Sequence, residues 1–87
     1  MEPITIKLTY PIAIGDETIT ELTIKRRPKT KDLKAMDQAQ GEVGKSAALL
    51  ARLAEVPDSW IDQLDAVDFT AAASVVDGFL SGSHTGK

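Results

Sequence analysis

The sequence predicts an α+β fold: an N-terminal antiparallel β-hairpin followed by three to four short α-helices. Even positions from residue 4 read Ile4, Ile6, Leu8, Tyr10, Ile12 and Ile14, while odd ones read Thr5, Lys7, Thr9, Pro11 and Ala13. That is the period of two of a half-buried strand. Beyond Pro28 the apolar spacing changes to three and four, as on one face of a helix. The chain has only 87 residues, 43% of them hydrophobic, and its aromatic side chains are confined to Tyr10, Trp60, Phe69 and Phe79. Such a chain holds one domain, here expected over residues 1–80, with a thin aliphatic core.

The hairpin is expected over residues 4–26. Gly15-Asp16-Glu17 supplies a turn, and the second strand resumes with Leu22 and Ile24 on its apolar side. Pairing Ile12 with Thr20, Tyr10 with Leu22 and Leu8 with Ile24 keeps the apolar sides together. Pro11 lacks an N–H and belongs on an edge or at a bulge, and Ile19 falls off the pattern. A lone hairpin is unstable in water, so its apolar face calls for helices or for strands of another subunit.

Helices are expected at about 30–39, 45–56, 58–64 and 66–80. Thr30 can cap the first, which carries Leu33 and Met36. Gln40 to Gly44 interrupts, because each glycine weakens a helix by about 1 kcal/mol relative to alanine. Leu49, Leu50, Leu53 and Val56 then form an amphipathic stripe, and Pro57 ends that helix or opens the next, which offers Trp60, Ile61 and Leu64 for burial. Asp65 can cap the last helix, with Asp68 in its first turn and Phe69, Ala72, Ala73, Val76, Phe79 and Leu80 following. Residues 81–87 read as a flexible tail by composition.

Composition excludes much chemistry. There is no cysteine and a single histidine, His84, so disulfides, thiolate zinc sites and a histidine metal cluster are absent, and no metal or cofactor is expected. No Ser, His and Asp constellation can be assembled, so enzymatic activity is not expected. The apolar runs fall far short of the roughly 18 residues of a membrane span, and the N-terminus lacks signal architecture; a cytoplasmic setting fits.

Two motifs invite sharper readings. Ala39 to Ser46 satisfies the permissive form of a phosphate-binding loop, but no apolar strand precedes it and none ending in a magnesium-binding acid follows. The net charge of −3 conceals a local balance of +5 over Lys25–Lys34 and −5 from Leu53 onward. A basic segment 25–34 could contact nucleic-acid phosphate, which leaves a small nucleic-acid-binding regulator as an alternative. No aromatic platform interleaves with these cations, and the acidic half would repel a polyanion, so a nucleic-acid partner is not expected. The apolar stripes are first of all core. Three or four short helices and a hairpin nevertheless hold more apolar positions than so thin a core covers, leaving some for a helical partner or for self-association through the hairpin or the helices.

The alternating N-terminal strand, the segment Leu22-Thr23-Ile24-Lys25-Arg26-Arg27-Pro28-Lys29-Thr30-Lys31-Asp32-Leu33, and Leu50-Ala51-Arg52-Leu53-Ala54-Glu55-Val56-Pro57 leading to Ile61-Asp62-Gln63-Leu64-Asp65-Ala66-Val67-Asp68-Phe69 together resemble the phage tail assembly chaperones of the Mu-like type, found in contractile-tailed phages and prophages. The likeness spans roughly residues 4 to 80. It implies a non-enzymatic helper in the host cytoplasm, absent from the mature virion, that binds the tape measure protein and helps recruit tail-tube subunits. On that reading Leu49, Leu53, Trp60 and Phe79 are expected at or beside the partner-binding surface, with Arg26 and Arg27 and the opposed charges setting orientation. A structural tail component of the virion is the other alternative.

Overall fold

Strands β1 (Ile4–Ile14) and β2 (Glu17–Ile24) pair antiparallel as a two-stranded sheet. The computed structural model of the chain describes residues 2–80. The tail expected over 81–87, His84 included, lies outside the described residues. Four helices follow the hairpin: α1 (Thr30–Met36), α2 (Gly41–Ala54), α3 (Asp58–Gln63) and α4 (Ala66–Leu80). The expected α+β architecture is the observed one.

The hairpin register differs from the expected pairing. Gly15 has φ +61° and occupies the first position of a two-residue turn, so Ile14 pairs with Glu17 and Ile12 with Ile19. Glycine in that position favours the primed turn whose twist matches the flanking strands. Toward the open end the pairs are Ile6 with Leu22 and Ile4 with Ile24. Between the two halves, four residues of β1, Leu8 to Pro11, lie opposite the single residue Thr20. Pro11 cannot donate to the ladder and sits in this irregularity. Ile19 and Leu22 are three apart and would point to opposite faces of a regular strand; the break lets both turn toward the core. The same break turns Tyr10 out, 53% exposed, although the alternation places it inward.

Helix α2 is the centre of the fold, packing against α1, α3, α4 and β2, while α4 also packs on β1. Its C-terminal half supplies Leu49, Leu50 and Leu53, which meet Ile24, Ile61, Ala72 and Val76 in one aliphatic core. Its N-terminus lies four residues earlier than expected, at Gly41. Gly41 takes φ +75°, a turn into the helix open to glycine without strain, and Gly44 continues the helix at a position where an added methyl would make only ordinary contact with Ala39. Packing along a helix outweighs the propensity of two glycines at its start.

The C-terminus of α2 is closed by the chain itself. Glu55 adopts the left-handed conformation (φ 59°, ψ 46°), its N–H donates to the Arg52 carbonyl at 3.3 Å, and Val56 N–H donates to the Ala51 carbonyl at 3.1 Å. This is the Schellman arrangement, with a non-glycine residue at its strained position. The backbone N–H of Lys25, leaving the hairpin, donates to the Leu53 carbonyl at 2.9 Å. A third carbonyl of the last turn is thus satisfied by the hairpin exit.

Candidate functional site

Two buried carboxylates set the relative positions of the elements. Asp32, in the first turn of α1, is fully buried. It accepts from Arg26 Nη1 at 2.6 Å and Nη2 at 3.0 Å, from Arg52 Nε at 2.8 Å and from the backbone N–H of Lys29 at 2.8 Å. One carboxylate therefore joins the hairpin exit, the start of α1 and the last turn of α2. The Arg26 hydrogen bonds, reinforced by those of Arg52 and Lys29, hold its carboxyl well below the usual carboxylate range. Arg26 is raised in turn, chiefly by its hydrogen bond to Asp32. Thr30, expected as the cap of α1, is its first helical residue; Lys29 stands at the N-cap, and Asp32 reaches back to its N–H.

Asp68, in the first turn of α4, is the second. Its two oxygens accept the backbone N–H groups of Thr9 at 2.8 Å and Tyr10 at 2.9 Å, both inside the β1 irregularity. Those hydrogen bonds lower its pKa. Asp65 caps α4 as expected, accepting the Val67 N–H at 2.9 Å. No buried side-chain nitrogen or oxygen among the described residues lacks a partner. Both carboxylates are thus structural pins with each oxygen hydrogen-bonded.

What these pins leave open is a trough. The N-terminal half of α2 is less covered than its C-terminal half: Val43 is 69% exposed and residues 44 to 48 are half-buried, Ala47 against the core, whereas Leu49 to Ala54 are buried apart from Arg52. Between this half of α2 and α4 runs a groove of about 340 Å³ lined by Val43, Ser46, Phe69 and Ala73, with Glu42 and Asp77 at its rim. It continues across Val43 and Phe69 into a hollow of about 240 Å³ against Ile61, Asp62 and Leu64. A third hollow of about 290 Å³, sharing Ala47, Ile61 and Asp62, extends it past Asp58 to Ala39. The trough is mainly apolar along its floor, with the hydroxyls of Ser46, Thr70 and Ser74 among its lining, and carries carboxylates along its edges.

The residues singled out from the sequence are distributed differently. Leu49 and Leu53 are 1% and 0% exposed and lie in the core, because the stripe they form faces the hairpin and α4. Trp60 is half-buried on α3. Phe79 is half-buried against the core, with the Arg27 guanidinium 5.3 Å from its ring centroid, a cation–π contact that joins the basic segment to the end of α4. Arg26 is committed to Asp32, and Lys25 lies 4.0 Å from Glu55. Gly44, Lys45 and Ser46 of the apparent phosphate-binding loop are inside α2, where a helix consumes the backbone amides that a phosphate would need. Sequence reasoning missed Val43, which it placed in an interruption rather than on a helix. Its only sequence signal is the i, i+4 spacing of Val43, Ala47 and Ala51.

Among the described residues, no group of three or more His, Asp or Glu side chains could hold a metal ion, and no helix is long and apolar enough to cross a membrane. No curated protein and no solved structure matches the chain. A family model does match, over residues 5–81, and it describes phage tail assembly chaperone proteins, E, or 41 or 14. The match takes in the hairpin and all four helices, so the chain belongs to the phage tail assembly chaperone proteins.

Proposed function

We propose that this protein binds the tape measure protein in the host cytoplasm, keeps its apolar helical stripes from associating with one another, and helps bring tail-tube subunits to it. It does so without chemistry of its own and is absent from the mature virion. The observation that carries this reading is the trough beside α2, joined to family membership. A helix whose apolar stripe runs from the core through half-buried Ala47 to exposed Val43 offers reversible cover to another helix. Trp60 on α3, and Phe79 with Arg27 above it, extend the contact surface. Leu49, Leu53 and Arg26 contribute indirectly, the leucines as core and the arginine as the partner of Asp32.

Co-expression tests the reading. The tape measure protein of the same phage is expected mainly in the soluble fraction with this chain and mainly in the pellet without it, and the two should co-purify. Equal solubility with and without the chain overturns the proposal, as does finding the chain at full stoichiometry in purified particles.

A further inference from the structure

The carboxylates of the C-terminal half divide into two groups. From residue 42 onward the chain has Glu42, Glu55, Asp58, Asp62, Asp65, Asp68 and Asp77. Glu55 lies within 4.0 Å of Lys25 and Arg26, Asp65 caps α4, and Asp68 holds the backbone of β1. The remaining four, Glu42, Asp58, Asp62 and Asp77, all line the trough, and all are exposed. Among the described residues none of the four has a cationic side chain within 4.0 Å. Lys45, the nearest cation in sequence, lines none of the three hollows.

An apolar floor between unpaired carboxylates selects its occupant. A helix with acidic flanks would bring like charges together as it docked, and a neutral one would leave the rim uncompensated. The floor residues Ser46, Ala47 and Ala73 are small, which allows a helix backbone to come close. We propose that the trough receives an amphipathic α-helix whose apolar stripe is flanked on both sides by lysine or arginine. This deepens the chaperone reading and rests on it for the identity of the client: the tape measure segment bound here is a cationic amphipathic helix. Val43 and Phe69 meet its apolar stripe, and Glu42 and Asp77 on one stretch, with Asp58 and Asp62 on the other, meet its flanks.

Two fluorescein-labelled helical peptides of about 18 residues test this, sharing one leucine stripe and differing only in lysine or glutamate flanks. Anisotropy titration with the full chain is expected to show the lysine peptide binding at least about tenfold tighter at low salt, with the preference shrinking as ionic strength rises. Val43→Asn should weaken the lysine peptide, and the double variant Glu42→Lys/Asp77→Lys should abolish or invert the preference. All three positions are exposed, so circular dichroism should be unchanged. Equal binding of the two peptides, binding of neither, or an unchanged preference in the double variant overturns the proposal. So does concentration-dependent dimerisation abolished by Val43→Asn, which would make a second copy the occupant. Co-expression separates this from the chaperone reading. If the peptide preference holds while the tape measure protein ignores the chain, the trough stands and the chaperone reading fails; if the peptides fail while solubility is still conferred, the reverse is true.

Discussion

The carboxylate of Asp68, at the start of α4, accepts the backbone N–H of Thr9 at 2.8 Å across 59 positions of sequence. With Tyr10 donating to the other oxygen, it takes up two amides in the stretch where β1 leaves its ladder with β2. A strand irregularity and a helix N-terminus are thereby made into one unit, and the start of α4 is fixed against β1.

Asp68→Asn is expected to lower the melting temperature by several degrees in a thermal scan. An amide has one acceptor oxygen, so its NH2 would face a second backbone donor. Local hydrogen exchange should quicken at Thr9 and Tyr10 before it does at Ile24.

Asp32→Ala removes the partner of two arginines that are themselves partly exposed. We expect a loss of about 2–4 kcal/mol, less than for a wholly buried pair because water reaches the guanidinium groups. Urea unfolding would measure it. A shift of less than about 0.5 kcal/mol would show that the hub contributes only geometry.

Acid should unfold the protein through the same two groups. Asp32 and Asp68 have folded pKa values below the unfolded value near 3.8. Each binds fewer protons when folded, so its contribution is fully present above that value and is lost as pH falls through it toward the folded one. Stability from urea titrations should therefore be nearly level from pH 7 to about 5 and decline below about 4, with a shallower decline in Asp32→Asn.

Glu55→Gly is expected to stabilise the domain modestly, by about 0.5–1 kcal/mol. It relieves a left-handed backbone at a helix end and sacrifices only long ion pairs, an exposed one to Lys25 and a partly exposed one to Arg26. A lower melting temperature in this variant would show that those pairs hold the hairpin exit in place.

Leu53→Ala should cost about 3 kcal/mol, because Leu53 is fully buried, whereas Val43→Ala should change stability by less than about 0.5 kcal/mol. Peptide binding by the trough should show the opposite sensitivity once each variant is compared in its folded fraction.

The sequence by itself determined the class of fold, the order of elements and most of the core, since strand and helix periods depend on neighbours a few residues away. The alternation from Ile4 to Ile14, the stripe from Leu49 to Val56 and the Asp65 cap are all of this kind. Pro11 and the misplaced Ile19 even marked where the hairpin would break. What only the tertiary structure decided were relations between distant residues: the register, the exposure of Tyr10, and the burial of Leu49 and Leu53 rather than their display. The roles of Asp32 and Asp68 belong here too, because a carboxylate's partners are chosen by what packing brings to it and not by its place in the chain. Val43 lay beyond local reasoning for the same reason. Two glycines argued against a helix at that point, and the packing of α2 along its length outweighed them, carrying an apolar stripe out of the core and into the open.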